Sequence, residues 1–447
     1  MKADCRNAFL IRHALRKHEL VLRRIKRNKN SVAGSFGTVP KIPSRVIRAI
    51  SGRISGKMVG NIDRATELWN LKIPKIFSII ENPEESLDVI YTLSSLSRRT
   101  GIAGINFDHS ECEKMDLCAS ALLDVVTLGL DLEWNSRSKK SKLVGVYPND
   151  PRIRKLLQCT GLLSNLGFRA NQEDIDSFIR MPLICGRRKV SRLYLGGSDH
   201  VTAVQRLIEY LDNCFNVAGY TLNVNGQQMV GEWAGEIISN AEEHSGEDTW
   251  WASAYMDLSL KGVDGECQLA IFSFGKSIYE TMLESDPSTA QMKAIKALVE
   301  LHNKRKFFGL FGARNYHECD LWTLYALQEG VSRFKGLEGG VDRGTGTVAM
   351  IETFQSLGCS VDAAMKPKMT ILSGTTQIVF DGKYSLKSVT TKEDQLQQII
   401  SFNKENDLGT APDIANVHSI RNHFPGTLIA FKFFIDRKNL DAKSRVE

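Results

Sequence analysis

In residues 227–243, apolar side chains recur at Val230, Trp233, Ala234, Ile237, Ile238 and Ala241. That is the i, i+3, i+4, i+7, i+8, i+11 spacing of one helix face. No other stretch constrains the chain as much, because a stripe this regular must be buried against another layer. The opposite face carries Glu232, Glu236, Ser239 and Glu243, with Asn240 at the border. Glu236 and Asn240 are four residues apart, so they stack on adjacent turns and point the same way. Residues 251–257 and 268–274 then read as strands joined through Asp264 and Gly265, a hairpin signal. The second strand runs into Ser273, Phe274, Gly275, Lys276 and Ser277. Helical patterns follow near 287–301 and 318–329. The run GGVDRGTGT, ending at Thr347, opens a helix, and 369–373, 376–380 and 427–435 read as strands.

Upstream, short strands alternate with helices. Strands are expected at 77–80, 104–108 and 141–147. Helices are expected at 84–98, at the strongly apolar 115–130, and at 151–162 behind a Pro start. The first of these has acids in its opening turn and arginines in its last, as the helix dipole prefers. This alternation implies an α/β layer with a mostly parallel sheet. Three segments result: a head and linker over 1–60, an α/β unit over 70–200 and a second α/β unit over 201–440.

The head holds most of the charge. Residues 1–60 contain fifteen Lys/Arg and two acids, net +13, which leaves the remainder at −6 within a whole-chain charge of +7. Residues 5–30 read as a basic helix with a loose apolar face (Phe9, Leu10, His13, Leu20, Leu22, Ile25). Such a helix is drawn to phosphate polymers without sequence specificity. Docking on the body or on a partner subunit is the favoured reading of the head, ahead of nucleic-acid contact, with a membrane-surface or targeting role as the third alternative. Residues 31–55, rich in Gly, Ser and Pro, read as a linker with a short helix after it. The chain is 42% hydrophobic and 24% charged, and no run of 18 apolar residues lacks a charge, so a soluble protein with no membrane span is expected. Nine scattered Cys without a CxxC pair or zinc spacing fit a reducing cytoplasm, and no secretory signal is read at the start.

Two resemblances extend this reading. Residues 105–108, the loop 109–114 and the helix opening at 115–121, with SKLVGVYPNDPRIRKLLQCTGLLSNLGF behind them, resemble a STAS domain, the sulfate-transporter and anti-sigma-antagonist module. In regulatory members a Ser follows an Asp at that helix start and accepts phosphate. Here Asp116 is followed by Leu117, Cys118 and Ala119, so no acceptor hydroxyl stands there. The carboxy-terminal unit resembles the GHKL ATPases (gyrase B-, Hsp90-, MutL- and histidine-kinase-type), nearest the anti-sigma-factor kinase branch. The matching residues are Glu236 and Asn240-Ala241 of a Glu-x-x-x-Asn-Ala helix, Ser273 to Ser277 in place of Asp-x-Gly-x-Gly, the Gly344-Thr-Gly346 loop, and Pro425-Gly426-Thr427 before the last strand.

The resemblance implies a two-layer α/β sandwich of the Bergerat type with a mixed sheet. It implies ATP and Mg²⁺ as ligands, with Asn240 on the metal and Glu236 as the catalytic carboxylate. Gly344 and Gly346 would carry phosphates beside Arg343, and Ser273 and Gly275 would face the base. Residues 279–339 would form a long lid, with Lys304, Arg305 and Lys306 as phosphate-facing cations. Ser273 and Ser277 depart from the family's Asp and second Gly, which removes charge assistance from base recognition. The function implied is a nucleotide-gated regulatory switch with slow Mg-dependent ATP hydrolysis, recognising a protein partner through the STAS-like face or the lid. A non-hydrolysing scaffold, a serine protein kinase, nucleic-acid contact through residues 1–60 and a homodimer stay open. Read singly, Glu236 is more simply a solvated helix-face residue and Gly344 and Gly346 a packing turn, while a capping or backbone-bridging role for Asn240 stays open. His244 reads as structural.

Overall fold

The computed structural model describes residues 10–12, 47, 50, 54–136, 142–160, 178–187, 199–244, 249–285, 290–308, 316–328, 346–357, 365–390 and 396–444. In chain order its elements are β1 (Leu10–Arg12), β2 (Asn61–Asp63), β3 (Leu68–Lys72), β4 (Ile76–Phe77), α1 (Pro83–Leu96), β5 (Gly104–Asp108), β6 (Lys114–Met115), α2 (Leu117–Ser136), β7 (Lys142–Val146), α3 (Pro151–Thr160) and β8 (Phe178–Arg187). Then come α4 (Asp199–Val217), β9 (Tyr220–Leu222), α5 (Val224–His244), β10 (Thr249–Asp257), β11 (Gly265–Phe274), α6 (Ile278–Leu283), α7 (Ala290–Phe308), α8 (Glu318–Ala326), α9 (Gly346–Leu357), β12 (Lys368–Phe380), β13 (Lys387–Thr390), β14 (Leu396–Ile399), β15 (Val417–Ile435) and α10 (Arg437–Ser444). The protein is mixed α/β. Among the described residues no helix is long and apolar enough to cross a membrane.

Two sheets organise these elements. The smaller has the order β2-β3-β5-β7 and is mixed: β3, β5 and β7 are parallel, and β2 runs against β3. The larger has the order β12-β15-β11-β10-β8 and is antiparallel at every pairing, where the resemblance implied a mixed sheet. Every residue of β10 and β11 is buried, because both faces of this sheet are covered. On one face Cys267, Leu269 and Ile271 join Val230, Trp233 and Ile238 of α5 and Met350, Ile351 and Phe354 of α9. On the other, Ala270, Phe272 and Phe274 join Leu87, Ile90, Leu122 and Val126 of α1 and α2, and through them Leu71, Ile105 and Phe107 of the small sheet.

The two units therefore share a core. Trp251 stacks on Phe272 at 5.6 Å and meets Phe274 edge-on at 5.2 Å. Aromatic pairs of this kind contribute about 0.5–1.5 kcal/mol each beyond area burial. Polar ties seal the same junction. The Leu117 N–H donates to Gln268 Oε1 at 2.6 Å, and Asn422 Nδ2 donates to the Glu84 carbonyl at 2.7 Å and to Asp88 Oδ1 at 2.9 Å. Arg152 of α3 reaches Asp257 at 3.1 Å and Glu266 at 3.3 Å. Asp116, the residue just before α2, accepts from the Ala119 N–H, the Ser78 hydroxyl and the Ile80 N–H. Burial pushes its carboxyl above the ordinary range.

Several expectations change. Residues 10–12 form a strand rather than part of a helix, with Leu10 opposite Leu222 and Arg12 opposite Tyr220; the rest of 5–30 lies outside the described residues. β9 offers an open strand edge, and pairing across more than 200 residues overrides local helical propensity. β8 lies upstream of the expected boundary at 201, yet it forms the edge of the large sheet against β10. The two short strands at 369–380 are one strand, kinked at Gly374 with φ +63. The described part of the 279–339 stretch is helical, and α8 buries Leu321, Trp322, Leu324 and Tyr325 while its Asp320 accepts from Thr376 and Ser419.

Candidate functional site

α5 forms because its apolar stripe packs on the large sheet and its polar stripe is left half open. Trp233, Ala234 and Ile238 are buried, whereas Glu236 and Asn240 are half-buried on the adjoining face. Among the described residues neither side chain makes a hydrogen bond. α9 packs alongside α5, and its first residue meets Glu236 directly. A Cβ built at Gly346 would lie 2.2 Å from the Glu236 Cβ and 2.3 Å from its Cγ. Only a glycine allows that approach. The carboxylate stem thus stands beside the start of a described helix, where the helix dipole favours negative charge. Arg343 and Gly344 lie outside the described residues. So do the side chains of His244, Lys304, Arg305 and Lys306.

The second cluster sits at the end of β11. Ser273 is buried and alternates onto the helix-facing side with Leu269 and Ile271. Its neighbours across the sheet are Trp250 and Thr427. Gly426 has φ +135, and a Cβ there would lie 2.0 Å from the Ser273 carbonyl oxygen, so the Pro425-Gly426-Thr427 turn needs its glycine for close strand approach. Gly275 has φ +133, and its N–H donates to the Pro425 carbonyl at 3.0 Å. The two clusters are linked through Trp250, whose backbone pairs with Ser273 and whose indole N–H donates to Glu242 of α5 at 2.8 Å.

Sequence reasoning did not foresee two features here. Ser277 is the N-cap of α6: its hydroxyl accepts from the Glu280 N–H while the Glu280 carboxylate accepts from the Ser277 N–H at 2.7 Å. Ser-x-x-Glu was the legible signal. Trp250, at 1% exposed, lies with its ring against Gly186 and fills the space next to Ser273. No local pattern marks it as part of this site.

Among the described residues no group of three or more His, Cys, Asp or Glu side chains is arranged to hold a metal ion. A divalent cation at Asn240 would take one amide oxygen, with phosphate and water for the remaining positions, which suits Mg²⁺. The chain matches no protein-family model, no curated protein and no solved structure.

Proposed function

We propose that the carboxy-terminal unit binds ATP with Mg²⁺ between α5 and the start of α9 and acts as a nucleotide-gated switch with slow hydrolysis. One observation carries the reading: Gly346 is in contact with Glu236, although 110 residues separate them and each was singled out independently by its motif. Asn240, one turn further along the same half-open face, is free to offer its amide oxygen. The metal would neutralise charge between the phosphates. Glu236 would orient a water or hydroxyl and accept its proton. The residue at 346 must be glycine for phosphates to come as near the backbone as the carboxylate does. Because α1 and α2 cover the far face of the same sheet, a change in how α5 and α9 pack would be felt by the STAS-like unit through β10 and β11.

The test is turnover in the full chain. Glu236→Ala should abolish ATP hydrolysis and leave nucleotide binding in place; wild-type turnover in that variant would overturn the catalytic assignment.

A second reading rests on Trp250. A buried indole beside Ser273, where the related family has a carboxylate for the adenine amine, favours a pocket that has lost its base site. The protein would then be a non-hydrolysing scaffold using the fold for partner recognition. Trp250→Ala should open that space; tighter nucleotide binding in the variant than in the wild type would favour the scaffold.

A further inference from the structure

A cleft of about 270 Å³ opens where the two units meet. Its walls are the segment after β4, the turn through β6 into α2, the start of α3, and the strands β10, β11 and β15. Gln268 of β11 lines it and alternates with Cys267 and Leu269, which face α5. The cleft therefore lies on the opposite face of the large sheet from the α5–α9 seam. Its floor is polar and nearly closed to water: Asp257 is 2% exposed and Glu266 6%. Arg152 spans both carboxylates, Lys432 reaches Glu266 at 3.2 Å, and Gln268 donates to Glu266 at 2.7 Å. Taking such carboxylates out of water costs free energy that pairing offsets only in a well-held geometry. Beside them Ile153 and Leu156 of α3, at i and i+3, and Tyr255 of β10 make an apolar wall. Apolar walls with a few convergent polar groups at a domain junction are the usual make-up of a small-molecule site.

We propose that this cleft binds a free aliphatic α-amino acid. Charge selects the class. Six carboxyl-bearing and three cationic side chains line the cleft, so a bare anion is repelled. Among the described residues no group of three or more His, Cys, Asp or Glu is arranged to hold a metal ion, so a bare divalent cation has no cage. Groups of both signs nonetheless keep unused capacity. One oxygen of Asp150, the residue before α3, accepts from the Arg152 N–H at 2.7 Å, and its other oxygen has no partner among the described residues. Arg152 commits Nε to Asp257 and Nη2 to Glu266, which leaves Nη1. Lys114 commits one of its three N–H groups, to Glu81 at 3.3 Å. A molecule with an ammonium and a carboxylate on one carbon satisfies both sides at once. Asp150 takes the ammonium, and Arg152 and Lys114 take the carboxylate.

Size and wall chemistry narrow the class. The volume falls just below the range of about 300–1,000 Å³ that holds drug-sized ligands, which suits a metabolite. Ile153, Leu156 and the Tyr255 ring offer an aliphatic side chain a dry surface. Because the cleft and the α5–α9 seam occupy opposite faces of the sheet, this site stands apart from the nucleotide reading.

Isothermal titration of the full-length protein with L-leucine, L-valine and L-methionine tests it. At least one of the three should give a saturable isotherm at millimolar concentration or below. Isovalerate, which lacks the ammonium, and isoamylamine, which lacks the carboxylate, should bind at least about tenfold more weakly, since each forfeits a charge-assisted hydrogen bond. Asp150→Asn keeps the acceptor for the Arg152 N–H, and Lys114→Gln replaces a side chain that is 63% exposed, so both leave the fold in place. Each should weaken the amino acid at least about tenfold. No saturable binding of any of the three probes overturns the proposal. So does isovalerate or isoamylamine binding as tightly as the amino acid, or an affinity unchanged in both variants.

Discussion

The side chain of Glu236 and the backbone of Gly346 occupy one contact, with 2.2 Å from the Glu236 Cβ to where a Cβ at 346 would be. Gly346→Ala therefore overpacks the α5–α9 seam and should destabilise the protein by about 1–3 kcal/mol, read from urea unfolding at constant m-value. Glu236→Gly removes the obstructing atoms, at a helix cost of about 1 kcal/mol on its own. The double variant should be more stable than the two single losses sum to. Strict additivity would mean that the contact is not formed.

The Ser277 cap gives a smaller effect of known sign. Ser277→Ala loses the hydroxyl that accepts from the Glu280 N–H, and stability should fall by about 0.5–2 kcal/mol. Ser277→Gly should cost only a few tenths. Thermal unfolding of both variants distinguishes a cap from a nucleotide contact: neither should alter a response to Mg-ATP.

The two units should unfold together. Their cores meet in the cluster of Trp251, Phe272 and Phe274 with Leu122 and Val126, so calorimetry of the full chain should give a single transition. Arg152→Ala leaves the buried carboxylate of Asp257 without its cation, while Glu266 keeps Lys432 at 3.2 Å. Because the Arg152 side chain is 45% exposed, water offsets part of the loss, and about 1–2 kcal/mol is expected. Two well-separated transitions in the wild type would contradict the shared core.

His109, buried in the loop after β5, has its imidazole pushed down to about 4 by burial. Its folded value lies below the unfolded one, so between these values the unfolded chain binds the extra proton. Its contribution is intact above pH of about 6.5 and is lost as pH falls toward about 4, about 3 kcal/mol in all. The His109→Gln variant should show a flatter stability profile over that window. Ring-proton shifts of His109 that titrate near pH 6.5 in the folded protein would refute the assignment.

Much of the fold was legible where packing follows a local pattern. β5 at residues 104–108 and the apolar stripe of α5 are stated by alternation and helical period alone. α4 was equally legible, since Ala203, Leu207, Tyr210, Leu211, Cys214 and Phe215 keep one face, yet it was not anticipated. β8 was not legible for a physical reason. Pro182 interrupts it, and a bulge between Ala252 and Ala254 of β10 accommodates the break at a sheet edge. β1 could not be read from local sequence, since the partner that makes it a strand is Tyr220 to Leu222. At the candidate site, helical spacing put Glu236 and Asn240 on one face of α5, and the glycine-rich run singled out Gly346 at the start of a helix; their contact across 110 residues could not be read from either pattern. Trp250 was not, because it joins Ser273 only through strand register.

The most direct measurement is the thermal shift of the full-length protein with Mg²⁺ and ATP, in the wild type and in Asn240→Ala. Nucleotide at 100 times its Kd adds about 2.7 kcal/mol of stability, so a site between α5 and α9 predicts a saturable rise in Tm that Asn240→Ala removes. No rise in the wild type at millimolar ATP, or an equal rise in both proteins, would contradict the account.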